Sequence, residues 1–91
     1  MSRRRGRPTV EQALGEVLRA LREQRELSQE RLAHDAGFHR NYVGMIERGE
    51  RGPTVDALFR LARALSVRPR DVIAQVEELR PVGQERGMRR R

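Results

Sequence analysis

Arg40, Asn41, Gly44 and Met45 stand at the spacing that gathers residues on one face of a short helix, opposite Val43 and Ile46. The chemistry of this set is hydrogen-bond readout, not covalent work. A guanidinium can donate two parallel hydrogen bonds to O6 and N7 of guanine, a carboxamide can pair with N6 and N7 of adenine, and a thioether can touch the methyl of thymine. Gly44 costs about 1 kcal/mol against alanine in a helix interior, so its presence points to a place where a side chain would obstruct close approach. The stretch AGFHRNYVGMIERGERG, residues 36–52, thus reads as a helix whose outer face is meant for a major groove.

Covalent chemistry finds no foothold. Of the three serines, Ser2 is next to the N-terminus and Ser28 is placed to cap a helix, and no Gly-rich phosphate loop precedes any helix. The absence of cysteine removes disulfides and thiolate ligands, and His34 and His39, five residues apart, do not make a helical metal pair. Neither a metal, a cofactor nor a small-molecule ligand is expected. With 91 residues and 36% apolar content, the chain can bury a modest helical core but no large enclosed active site.

The net charge of +7 is unevenly spread: residues 1–8 carry +4, residues 80–91 carry +4, and the span between them carries −1. Basic ends of this kind suit a polyanion, most simply nucleic acid, although solvated ends in an arginine-rich composition would look the same. No run approaches the roughly 18 apolar residues of a membrane span, and the N-terminus lacks the apolar stretch of a secretion signal. A soluble, cytoplasmic protein is expected, with no membrane partner.

Five short helices must position these residues. Thr9 and Gln12 have the form of a capping box, followed by Val10, Leu14, Val17, Leu18 and Leu21 at helical spacing to about Gln24. Ser28 caps a second helix, with Leu32, Ala33 and Ala36 on one face, until Gly37 offers a left-handed stop. A third, about 40–48, turns Val43 and Ile46 inward. Pro53 and Thr54 open a fourth, with a stripe of Val55, Leu58, Leu61, Ala62 and Leu65; Pro69 starts a fifth, with Val72, Ile73, Val76 and Leu79. No strand-like alternation competes, so the fold class is all-α, a compact five-helix bundle over residues 9–79. Residues 1–8 and 80–91 are expected to be disordered basic arms.

Two short helices around a glycine turn are the helix-turn-helix arrangement. The segment from Ser28 to Leu65 also closely resembles the phage repressor and Cro-like (XRE-type) helix-turn-helix family. The resemblance rests on Ser28-Gln29, Leu32-Ala33, Gly37, Ile46-Glu47-Arg48-Gly49, Pro53, Leu61-Ala62 and Ala64-Leu65, and spans residues 10–79. Arg40-Asn41-Tyr42 and the ending Glu47-Arg48-Gly49-Glu50-Arg51 look most like the restriction-modification controller proteins of that family.

The resemblance implies a lambda-repressor-like fold and a transcriptional regulator that reads double-stranded DNA with helix three. It also implies phosphate contacts from Gln29, Arg48 and Arg51, with Tyr42 at the sugar-phosphate or packed beside Phe38. A structural ion pair between Arg22 and Glu47 is implied in the same way. His39 replaces the Ser or Thr usual before the recognition helix and is a weaker cap; it could instead reach a phosphate or base. Arg5-Gly6-Arg7-Pro8 resembles the core of an AT-hook, so Arg5 and Arg7 either enter a minor groove or attract phosphate without regard to sequence.

One short helix reads few base pairs, so a two-fold dimer on a palindrome is expected. Its interface is placed on helix five and the end of helix four, at Ile73, Val76 and Leu79, unless these residues only close the monomer core. RNA polymerase is a further partner that control of transcription would imply. A protein-interaction module of the same fold, an antitoxin or coactivator, is the competing class, but its docking face would want aromatic or aliphatic anchors where this helix offers Arg, Asn and Gly. Single-stranded RNA would want more stacking aromatics than Phe38, Tyr42 and Phe59.

Overall fold

Four of the five helices begin where a side chain or a proline settles the first turn. In the computed structural model, which describes residues 8–80, Thr9 and Gln12 close a reciprocal capping box at the start of α1 (Val10–Gln24). Ser28 Oγ accepts from the amide of Arg31 to open α2 (Gln29–Ala36), and Thr54 Oγ1 accepts from that of Ala57 to open α4 (Val55–Ala64). Pro69 stands at the first position of α5 (Pro69–Leu79). At the start of α3 (Arg40–Glu47) there is neither: its cap residue, His39, makes no side-chain cap bond, and no proline opens its first turn.

The first four helices stop by a shared device. Phe38 N–H donates to Ala33 O (2.7 Å) over Gly37, φ 81°, and Glu50 N–H donates to Met45 O (3.0 Å) over Gly49, φ 75°. These are Schellman turns, in which glycine enters the left-handed region without a Cβ penalty. The same 6→1 bond ends α1 at Leu27 over Glu26, φ 57°, and α4 at Val67 over Ser66, φ 60°, where side chains accept that conformation at some cost.

The core is built from one face of every helix. Leu18, Leu32, Val43, Ile46, Leu61, Leu65 and Val72 are almost wholly withdrawn from water, each contributing about 1.5–3 kcal/mol by transfer. The first helix packs on α3 and α5, α2 packs on α3 and α4, and α4 packs on α5. No strand occurs among the described residues, so the all-α, five-helix architecture stands.

Four positions assigned to apolar stripes lie outside the core: Val10, Val55, Ile73 and Leu79. Val55, at 71% exposure, sits roughly 90° around α4 from the centre of the buried stripe at 100° per residue, so the stripe begins at Ala57. Val10 keeps to the stripe of α1 but precedes the packed turns, and half of it faces solvent beside Ile73, Val76 and Arg80. At the end of α5, Arg80 donates its backbone amide to Val76 O (2.9 Å) and Nε to Pro8 O (3.1 Å), which ties the last described residue to the first.

Candidate nucleic-acid interface

Left-handed Gly37 and then Phe38 lead from α2 into α3, which packs on α2 with residues 39–41 exposed at its start. Arg40 and Asn41 are exposed there, and Arg40 enters no hydrogen bond or ion pair with another described residue. Met45 is half-buried one turn further on. The donors expected at the bases therefore share one open surface, with Val43 and Ile46 buried on the other side.

Gly44 is buried rather than open. A Cβ there would lie 3.1 Å from Arg48 Nη1 and 3.8 Å from Gln29 Oε1, so the close approach that this glycine allows is, in the free protein, made by two of the chain's own side chains. The reason is reach: side chains on a helix lean toward its N-terminus, which folds Arg48 back over the preceding turn. Its guanidinium is steadied by Glu50, through Nε–Oε2 at 2.8 Å and Nη2–Oε1 at 3.3 Å. That pairing raises the Arg48 pKa and holds the Glu50 carboxyl below its ordinary value, the hydrogen bond being the main cause of both.

Tyr42 is half-buried, its ring 4.8 Å from that of Phe38 at 43°, and the Arg51 guanidinium lies over the Tyr42 ring at 5.9 Å from its centroid. The packing beside Phe38 and a role at the sugar-phosphate are compatible, because the ring is only partly covered. His39 is exposed at the entry to α3.

Behind this surface Glu47 collects three helices. Arg22 from α1 donates Nε to Oε2 (2.7 Å) and Nη2 to Oε1 (3.0 Å), while Gln29 from α2 donates Nε2 to Oε1 (2.9 Å). Arg22 Nη1 is used on the carbonyl of Leu27 at 2.7 Å. The hydrogen bond to Glu47 outweighs desolvation and raises the Arg22 pKa, which keeps the guanidinium charged. Gln29, read from sequence only as a phosphate contact, thus has a structural partner as well.

Two residues that sequence reasoning did not single out complete the frame. At Gly15 an added Cβ would collide with the carbonyl oxygen of Ile46 and stand 2.7 Å from that of Glu47, so α1 and the end of α3 touch backbone to backbone. A glycine inside a buried stripe was the available signal. Arg60 on α4 donates to the carbonyls of Ala36 and Gly37, and nothing in its polar surroundings in the sequence marked it. Arg5 and Arg7 lie outside the described residues. Of the interface candidates, Ile73 and Leu79 are exposed at 46% and 39%, whereas Val76 is packed into the monomer. Among the described residues no helix is long and apolar enough to cross a membrane.

Residues 18–72 match the helix-turn-helix family. Over 57 residues the chain is 44% identical to control protein C.SmaI of Serratia marcescens, a match covering 63% of this chain and 68% of that one. The crystal structure of the restriction-modification controller protein C.AhdI from Aeromonas hydrophila aligns with a TM-score of 0.67 at 42% identity, over 68% of this chain and 94% of its own. Controller protein C.Esp1396I, solved as a tetramer on its natural 35 base-pair operator, shares the fold at a TM-score of 0.71 and 22% identity, over 78% of this chain and 93% of its own. The chain belongs to the helix-turn-helix family of DNA-binding transcriptional regulators and, within it, is similar to the restriction-modification controller proteins.

Proposed function

We propose that the protein binds a palindromic operator as a homodimer and controls transcription in the manner of a restriction-modification controller, with α3 in the major groove. The observation that carries this reading is the open first turn of α3, where Arg40 and Asn41 are exposed and Arg40 is free of any described partner. Arg40, Asn41 and Met45 read bases, while Gly44 lets α3 and its covering side chains approach them. His39, Tyr42, Arg48, Arg51 and the second amide hydrogen of Gln29 hold phosphates and sugars. Support for an operator complex comes from C.Esp1396I, which was solved on one.

A two-fold dimer would set its recognition helices about 34 Å apart, on half-sites about 10–10.5 bp centre to centre. Ile73 and Leu79, exposed on α5, supply the apolar contact between copies. The basic ends add sequence-independent affinity, and a minor-groove role for Arg5 and Arg7 would show as preference for A·T flanks. As a regulator the protein performs no covalent reaction and works in the cytoplasm on DNA, beside RNA polymerase.

Selection of bound sequences from random DNA tests the reading, followed by affinity measurements with Arg40→Ala. An enriched inverted repeat is expected, with a loss of about 1–3 kcal/mol for the variant and relaxed preference at one position per half-site. No enrichment by the wild-type chain would defeat the reading and leave the protein-interaction class standing. An equal loss on all sequences would reduce Arg40 to a backbone contact.

A further inference from the structure

The turn that joins α2 to α3 is gripped from outside by α4. Arg60 donates Nε to the carbonyl oxygen of Ala36 at 3.1 Å and Nη2 to that of Gly37 at 3.2 Å. These oxygens belong to the end of α2, where carbonyls lack amide partners and a cation is favoured by the helix dipole. The same guanidinium stacks on Phe38, 4.4 Å from the ring centroid, and Phe38 in turn packs on Tyr42 in α3. A Cβ at position 37 would stand 2.5 Å from Arg60 Nη2, so the glycine turn and the arginine are fitted to each other.

The entry to α3 has no comparable support of its own. His39 makes no side-chain cap, so only backbone bonds, from the amides of Tyr42 and Val43 to the His39 carbonyl, close the first turn that carries Arg40 and Asn41. What reaches that turn is the path from Arg60 through Phe38 to Tyr42. The geometry points to Arg60 as a positioning residue that sets the pose of the recognition helix, and so the discrimination between operator and other DNA, from a helix outside the helix-turn-helix unit.

This inference rests on the DNA-binding reading above, and its test separates the two. Arg60→Met keeps a long stem against Phe38 but gives up the carbonyl bonds and the cation–π contact. The ratio of operator to non-specific affinity is expected to fall about tenfold, the scale of one misplaced base contact, with the salt slope unchanged because no phosphate contact is lost. Adding His39→Ser, which supplies the missing cap, should recover part of that ratio. The Tyr42 ring resonances should shift in Arg60→Met without DNA present. An unchanged ratio, whatever happens to the melting temperature, would overturn the inference, as would a shallower salt slope. Should Arg60→Met fail to fold, Arg60→Lys carries the same comparison: an intermediate ratio supports positioning and a wild-type ratio overturns it. A wild-type chain that enriches no sequence defeats the DNA reading instead, and unshifted Tyr42 resonances then overturn positioning on their own.

Discussion

Arg22 and Glu47 meet through two parallel hydrogen bonds, of 2.7 and 3.0 Å, with side-chain exposures of only 12% and 3%. The carboxylate sits in the last turn of α3, where the helix dipole disfavours negative charge. It persists there because Arg22 supplies a matched fork and Gln29 a further donor, so one carboxylate joins α1 and α2 to the recognition helix.

Glu47→Ala should cost roughly 3–5 kcal/mol, because it strands the Arg22 guanidinium with its main partner gone. The apolar double substitution Arg22→Met with Glu47→Leu should cost much less than the single change. Thermal melts in the absence of DNA check both, and an unchanged melt for Glu47→Ala would mean that the pair carries little of the fold.

Gly15 and Gly44 both sit inside helices but should answer alanine in opposite ways. At Gly15 the new methyl meets backbone carbonyls of Ile46 and Glu47, which cannot turn aside, so a loss of about 1–3 kcal/mol is expected despite the better helix propensity. At Gly44 it meets the flexible tip of Arg48, and propensity should prevail, with a gain of up to about 1 kcal/mol in the free protein. Chemical denaturation separates the two. Affinity for the operator should fall for Gly44→Ala even as stability holds.

The starts and stops of the helices were legible because they are local: Thr9, Ser28, Thr54 and Pro69 act within one turn, and Gly37 and Gly49 announce left-handed backbone. The outward face of α3 was legible at Arg40 and Asn41 for the same reason. What stayed hidden depends on partners distant in the chain. Gln29 reaches Glu47 across 18 positions and Arg60 reaches Ala36 across 24. Gly44 shows the intermediate case, since its helical face was readable but the side chains that cover it were not. Val55 fails differently: an apolar residue next to a cap resembles the start of a stripe, yet the stripe of α4 turns away from it.

Ile73 and Val76 separate association from folding. Ile73→Asp should leave helix content intact and shift the protein to monomer in sedimentation, with operator affinity down about 10²–10⁴-fold as the two half-sites uncouple. Val76→Asp places a charge in the core and should cost more than about 3 kcal/mol, unfolding much of the population. A monomeric wild type at high micromolar concentration would refute the dimer.

The Arg48–Glu50 pair predicts a small acid-side dependence of stability. Because the Glu50 carboxyl is lowered in the folded state, its contribution is present above the unfolded carboxylate pKa and disappears as pH falls through the lowered one. Both partners are solvated, so the effect should vanish in high salt. Carbon-detected titration by NMR should find Glu50 below the ordinary carboxylate range in the wild type and back within it in Arg48→Ala.

The bond from Arg80 to Pro8 has a consequence for wiring. Since the chain enters and leaves the folded unit at one spot, the two arginine-rich segments of the sequence are rooted side by side rather than at opposite poles. Positive charge attached at one place on the folded unit adds its pull on a polyanion there, instead of dividing it between two faces. A circular permutant that joins the ends by a short linker and opens the chain elsewhere should keep the fold while erasing that shared anchorage.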